Sequence, residues 1–143
     1  MKIKFRRIHP NAVIPEYKTP GSVAFDLALI EDVAIEPHTF VKTRTGIVVE
    51  VPEGYALILA SRSSNAPKKG INMANSIGVI DQDYCGPEDE IHLLLQNITN
   101  EPVCLHAGDR VAQGMIVPIA RATFEEVDEL AQESRGGFGT TGR

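Results

Sequence analysis

An all-β, jelly-roll-like domain is the fold this sequence predicts, on three observations. Short apolar runs rich in β-branched residues recur along the chain, punctuated by Gly, Pro, Asn and Asp. Helix-period patterns are scarce by comparison. No repeat, linker or low-complexity block divides the 143 residues, so they form one domain. Many short strands with frequent turn residues suit a closed or double-sheet β architecture.

The elements follow in order. "TPGSVAFDLAL" (19–29) reads as a Gly-Ser turn leading into a strand, with Asp26 near its start. That acid fits a structural cap, or an organiser of a metal or a basic neighbour. "VAIEPHTFVKTRTGIVVEV" alternates in places and carries β-branched residues. "GIVVEVPEGYALILAS" reads as strand, turn, strand, with Pro-Glu-Gly at the turn. "SRSSNAPKKG" (61–70) predicts one very short helix: Ser63 or Ser64 as N-cap, Pro67 in the first turn, Gly70 as the stop.

"NSIGVIDQDYCG" (75–86) followed by "EIHLLLQN" predicts a β-hairpin, with Asp81 and Tyr84 near its tip. The acids after Gly86 in "PEDE", Glu88 to Glu90, are expected to face solvent. "AGDRVAQG" (107–114) reads as a turn and then a strand, with Asp109 and Arg110 as a surface ion pair. "TFEEVDELAQE" spaces Phe124, Val127 and Leu130 as an amphipathic helix would, yet an extended arm fits equally. The chain closes on "ESRGGFGTTGR", glycine-rich but carrying one aromatic ring.

Composition narrows the function. A net charge of −5 argues against a general polyanion binder, so no nucleic-acid partner is expected. No apolar run of about 18 residues is present, so no membrane partner is expected. "MKIKFRRIHPN" is basic but lacks a following apolar stretch, which argues against a secretory signal. Cys85 and Cys104 fit reduced thiols of a cytoplasmic protein. His9, His38, His92 and His106 show no ligand spacing, so catalytic zinc is not expected. Two stretches carry candidate chemistry. Arg62 offers a planar cationic fork for phosphate, beside the hydroxyls of Ser63 and Ser64. Asp81 sets a carboxylate beside the Tyr84 phenol near the hairpin tip, or else Asp81 and Asp83 are ordinary solvated turn residues.

Five stretches, in this order, resemble the five motifs of the trimeric dUTPases: "PGSVAFDL", "SRSSNAPKKG", "NSIGVIDQDYCG", "GDRVAQ" and "RGGFGTTG". The resemblance runs from about Pro20 to Gly142. It implies a jelly-roll-like subunit in a homotrimer with active sites shared between subunits. It implies a β domain over 1–133 and a C-terminal lid over 134–143. The implied reaction is Mg²⁺-assisted hydrolysis of dUTP to dUMP and pyrophosphate. That reaction keeps uracil out of DNA and supplies dUMP for dTMP synthesis.

By the same resemblance Asp81 matches the general base acting on the attacking water. Tyr84 matches the residue packing on the deoxyribose. Asn75, Gly78, Val79 and Ile80 would read uracil, largely through backbone groups, with Ile91 or His92 nearby. Arg62, Ser63, Ser64 and Gln113 match phosphate contacts. Asp26 would lie near the metal's water shell and the arginine of the second motif. In the family the tail closes over bound substrate. Phe138 would stack on uracil, Arg135 reach the terminal phosphates, and Gly139 let the backbone follow phosphate closely. Two other readings share the scaffold: a dCTP deaminase and a non-catalytic nucleotide-binding protein. The Asp81–Tyr84 pair and the Gly-Gly-Phe-Gly tail favour hydrolysis.

Overall fold

A computed structural model describes residues 1–130 of the chain. Two small ribbons and two larger sheets enclose one core. β1 (Lys4–Arg7) pairs with β5 (Ile47–Glu50), and β3 (Val33–Ile35) with β10 (Val103–Leu105). β2 (Phe25–Ala28), β11 (Arg110–Pro118), β6 (Tyr55–Ser61) and β8 (Ile77–Ile80) form a four-stranded sheet in that order. β4 (Phe40–Arg44), β9 (His92–Asn97) and β7 (Ile71–Met73) form a three-stranded one. Every pairing among the described residues is antiparallel. The all-β, jelly-roll-like prediction holds.

Period-two patterning decides which side chains go inside. In β9, Leu93, Leu95 and Asn97 are buried while His92, Leu94 and Gln96 are half-buried. Leu93 and Leu95 join Leu27, Ile35, Leu57, Leu59 and Ile91 in the core. Several polar groups at its margin are satisfied by carbonyls of neighbouring strands and turns. The Thr43 hydroxyl donates to the Leu93 carbonyl and the Thr45 hydroxyl to the Ile91 carbonyl, at 3.1 and 2.6 Å. The buried Asn97 amide donates to the Ile35 and Glu101 carbonyls and accepts from the N–H and hydroxyl of Thr99.

The stretch 47–61 is strand, turn, strand, with the Tyr55 N–H closing on the Pro52 carbonyl at 3.1 Å. Its two strands pair elsewhere: β5 with β1, and β6 with β11 and β8. The short helix of 61–70 is a single wide turn, Asn65–Lys69. Ser64 holds the N-cap position without a side-chain capping bond, and Gly70 ends the turn at φ 65°. A Cβ at Gly70 would run into the Thr99 methyl, so both conformation and space call for glycine there.

Three expectations are corrected. β8 does not pair with the strand of "EIHLLLQN": its partner is β6, while β9 lies between β4 and β7. Burial of Leu93 and Leu95 draws β9 into the other sheet, so residues 81–91 form an irregular excursion between sheets. The tight turn instead precedes β8, where the Ser76 N–H bonds the Met73 carbonyl at 3.1 Å and Ser76 takes φ 62°. Asp109 and Arg110 do not pair with each other, because successive side chains there serve different partners. Asp109 pairs with Lys69 and Arg110 with Asp26, both at 2.9 Å. Glu90 does not face solvent: it is 4% exposed. Over 123–130 neither helix nor strand forms, and Phe124 is exposed.

Asp109 titrates below its ordinary value. Partial burial opposes its ionisation, but the Lys69 hydrogen bond, the His106 N–H and nearby positive charge outweigh that. A depressed folded-state value stabilises the fold above about pH 3.8, the unfolded value, and that contribution vanishes as pH falls through the folded value. Asp109→Asn is therefore expected to flatten the loss of stability on acidification below that point. Denaturant melts at stepped pH values check this; an acid limb as steep as wild type's contradicts it.

Candidate active site

At the meeting of β2, β6 and β11 the sheet gathers four polar side chains. Gln113 on β11 lies opposite Asp26 on β2 and Ala60 on β6. Its amide donates to the Ser61 carbonyl at 3.0 Å. The Asp26 carboxylate, 13% exposed, is gripped by two guanidiniums: Arg62 Nε at 2.9 Å from Oδ1 and Arg110 at 2.9 Å from Oδ2. Arg62 also donates to the Arg110 carbonyl at 3.1 Å. The shared carboxylate lets two permanent cations sit side by side and fixes their forks. Beyond Arg62 the chain passes exposed Ser63 and half-buried Ser64 into the helical turn. The buried Asn65 amide ties that turn to the Ser61 hydroxyl and the Val111 carbonyl, at 3.0 and 2.6 Å.

β8 is the edge of its sheet, so one side of its backbone has no strand partner among the described residues. Ile77 and Val79 are exposed on it. Gly78 lets β8 lie close on β6, since a Cβ there would come within 3.2 Å of the Leu59 side chain. Asn75 is exposed in the turn before β8, and Asp81 is exposed directly after it. Val79, Ile80, Asp81, Tyr84, Glu90 and His92 line a cavity of about 270 Å³. The Tyr84 hydroxyl donates to the Glu90 carbonyl at 3.0 Å. Ile91 is fully buried in the core and cannot reach a ligand in that cavity; His92 lines it.

Two groups thus form within one chain: Asp26, Arg62, Arg110 and Gln113, and the cavity with Asp81 and Tyr84. They are not brought together. β8 runs antiparallel to β6, with Ile77 opposite Ala60 and Ile80 opposite Leu57. Asp81 therefore lies past one end of the pairing and Arg62 past the other, about 10 Å or more apart along the strands. Arg135, Phe138 and Gly139 lie outside the described residues. Sequence reasoning missed Arg110 and Glu90 as members of these groups, while His92 was expected beside the base-reading strand. The pairing register and burial that reveal them join residues too far apart in sequence for local pattern to signal.

A guanidinium pair suits phosphate, and an open strand edge ending in a carboxylate suits a base and a water. Both features suit a nucleotide-processing enzyme. The dUTPase family profile matches residues 10–142, and the chain belongs to that family. It is 42% identical over 144 residues to the deoxyuridine 5'-triphosphate nucleotidohydrolase of Helicobacter pylori J99, covering 99% of this chain and 97% of that protein. The fold matches the dUTPase of Staphylococcus bacteriophage 80alpha, solved with dUPNHPP, at TM-score 0.88 and 24% identity, over 99% and 98% of the two chains. It also matches a variant dUTPase of Staphylococcus aureus phage phi11, solved with a structural Mg(II) ion, at TM-score 0.82 and 24% identity, over 90% and 98%. The chain is thus an enzyme of the dUTP diphosphatase class.

Asp26→Asn would turn an amide N–H₂ toward one guanidinium and leave it without its acceptor. The expected cost is about 1.5–3 kcal/mol, the range for hydrogen bonds to charged groups. A denaturation midpoint equal to wild type's would show that Asp26 does not anchor the pair.

Proposed function

We propose that the enzyme hydrolyses dUTP to dUMP and pyrophosphate by attack of water at the α-phosphorus, with Asp81 as general base. The observation that carries this reading is the placement of Asp81, exposed at the end of an open strand edge and facing a cavity that also holds Tyr84. Asp81 would orient the water and accept its proton as the oxygen–phosphorus bond forms and pyrophosphate leaves. The free edge around Asn75, Gly78, Val79 and Ile80 would complement uracil's two carbonyls and one N–H. Cytosine would set a donor against a donor and leave buried groups unpaired. Tyr84 would pack on the deoxyribose, where a 2'-hydroxyl would collide with the ring.

Arg62, Ser63, Ser64 and Gln113 would hold the phosphates. Among the described residues no cluster of three His, Cys, Asp or Glu side chains could cage a metal. That donor set fits Mg²⁺ carried mainly by triphosphate oxygens and its own waters. When bound there it would neutralise developing charge on the phosphates. Both Asp26 oxygens already accept from arginines, but each has a further lone pair for a metal-bound water.

The separation of the Asp81 cavity from the Arg62 group supports active sites shared between subunits of a homotrimer. The tail 134–143 would complete such a site as a lid, with Arg135 on the terminal phosphates, Phe138 on the base and Gly139 following the phosphate. dUTP is the proposed small-molecule partner, with neither nucleic acid nor membrane required. No helix among the described residues is long and apolar enough to cross a membrane, and a cytoplasmic setting fits nucleotide supply. The products would serve exclusion of uracil from DNA and provision of dUMP for dTMP synthesis.

Asp81→Asn is expected to keep dUTP affinity and lower kcat by about 10²–10⁴-fold, the span of general-base contributions. Stopped-flow proton release with titration calorimetry tests both halves, and full turnover removes Asp81 from the mechanism. Pyrophosphate and ammonia assays on dUTP, dCTP, dTTP and UTP separate the readings: ammonia from dCTP would favour a deaminase. Removal of residues 134–143 should depress turnover while the thermal midpoint stays put. A truncated chain that fails to fold would assign the tail to the core structure instead.

A further inference from the structure

Residues 81–91 leave the sheets altogether, yet they carry Tyr84. Its far end, at Glu90, is held by a buried side chain. The Glu90 carboxylate is 4% exposed. Its Oε1 accepts the Gly46 N–H at 2.6 Å, and its Oε2 accepts Arg44 Nε at 2.9 Å. The same residue's carbonyl accepts the Tyr84 hydroxyl at 3.0 Å and His92 Nδ1 at 2.9 Å. The next residue is locked too: the Ile91 N–H bonds the Ile47 carbonyl at 2.8 Å, and its carbonyl accepts the Thr45 hydroxyl. Other ties of the excursion involve neither Tyr84 nor Glu90. Gln82 reaches the Tyr55 carbonyl, Arg6 reaches the Pro87 carbonyl, and Asp89 caps the Gly86 N–H.

We infer that Glu90 is a positioning residue for Tyr84: its carboxylate clamps the 44–46 bend, and the carbonyl so fixed holds the phenol that discriminates deoxyribose from ribose. This rests on the proposed role of Tyr84 and adds the residue that makes that role rigid. The physical case is one of acceptors. Two donors from the bend converge on a group that, ionised, only accepts. Glutamine presents one oxygen and one N–H₂, so it satisfies Gly46 or Arg44 but sets a donor against the other. The clamp then loosens, the Glu90 carbonyl shifts, and the ring loses its fixed height against the sugar. The base-reading edge, β8, hangs on β6 and does not depend on the clamp.

The two dependences predict a split. In Glu90→Gln, the dUTP-over-UTP ratio of kcat/KM falls about fivefold, about what one weakened hydrogen bond allows. The dUTP-over-dCTP ratio stays within about twofold. Tyr84→Phe keeps the ring and removes only its hydroxyl tie, and it should lower the same ratio by a similar factor without loss of thermal stability. Equal sugar discrimination in a folded Glu90→Gln overturns the inference. Should Glu90→Gln not fold, Tyr84→Phe decides alone, and an unchanged dUTP-over-UTP ratio there overturns it equally.

A second readout does not depend on the proposed role of Tyr84. With 3-fluorotyrosine incorporated, the Tyr84 ¹⁹F signal, assigned through Tyr84→Phe, should shift and narrow in Glu90→Gln while those of Tyr17 and Tyr55 hold. A static Tyr84 signal refutes the clamp. A wild-type enzyme that does not prefer dUTP over UTP refutes instead the sugar role of Tyr84, leaving the ¹⁹F result to judge Glu90.

Discussion

The cross-strand register between β6 and β11, from Ala112 opposite Ser61 to Pro118 opposite Tyr55, is the constraint on which the rest depends. Burial enforces it: a slip of β6 by one residue would turn Leu57 and Leu59 out of the core. Gly114 serves both neighbours of β11, since a Cβ there would come within 2.6 Å of Phe25 Cζ on β2 and 3.0 Å of Leu57 Cδ1 on β6. With β6 flanked by β11 on one side, β8 can join only on the other, and so becomes the sheet's edge. Arg62 and Asp81 are then set at opposite ends of the β6–β8 pairing. One packing event thus places the cationic corner, opens the edge and orients the carboxylate.

Electrostatics work locally against the global balance. The chain carries net charge −5, which opposes an approaching triphosphate at long range. Salt screens that field beyond about 10 Å, so the contact geometry decides binding. Two guanidiniums side by side repel each other, and Asp26 between them removes that penalty while leaving donors free at their outer rims. A half-buried carboxylate held by two arginines also carries little cost of its own, because both of its oxygens are paired. Asp26 is thus the part that lets two arginines sit side by side in the fold, the pair proposed to hold the phosphates.

Local signals were legible and long-range ones were not. Runs of β-branched residues marked strands, Gly70 marked the end of the helical turn, and the five motifs marked the family. Each is a property of a few consecutive residues. Pairing partners are a different matter: nothing in "GVIDQDY" says whether the strand joins β9 or β6, since both offer an apolar face. Glu90 was misread for a related reason. Charged residues default to the surface, and only Arg44 and the Gly46 N–H, more than forty residues upstream, make its burial tolerable. Arg110 has the same character, its partner Asp26 lying in the chain's first quarter. The 123–130 segment shows the converse, where helical spacing of Phe124 and Val127 exists without a surface among the described residues to pack it against.

The irregular excursion of 81–91 carries Tyr84, the residue proposed to judge the sugar. Regular strands supply a rigid edge, but an edge alone recognises only what hydrogen-bonds to backbone. The bare 2'-carbon of deoxyribose offers no group to hydrogen-bond, so under the proposed role of Tyr84 its difference from ribose would be judged by shape, which needs a ring held at a fixed height. A tyrosine on an unpaired loop would ordinarily be too mobile for that. Burying an acid at the loop's far end converts the loop into a strut. The ion pair with Arg44 contributes little net stability by general expectation. Under the proposed clamp it would give instead one geometry in place of many, which is what a steric test of the 2'-position would require.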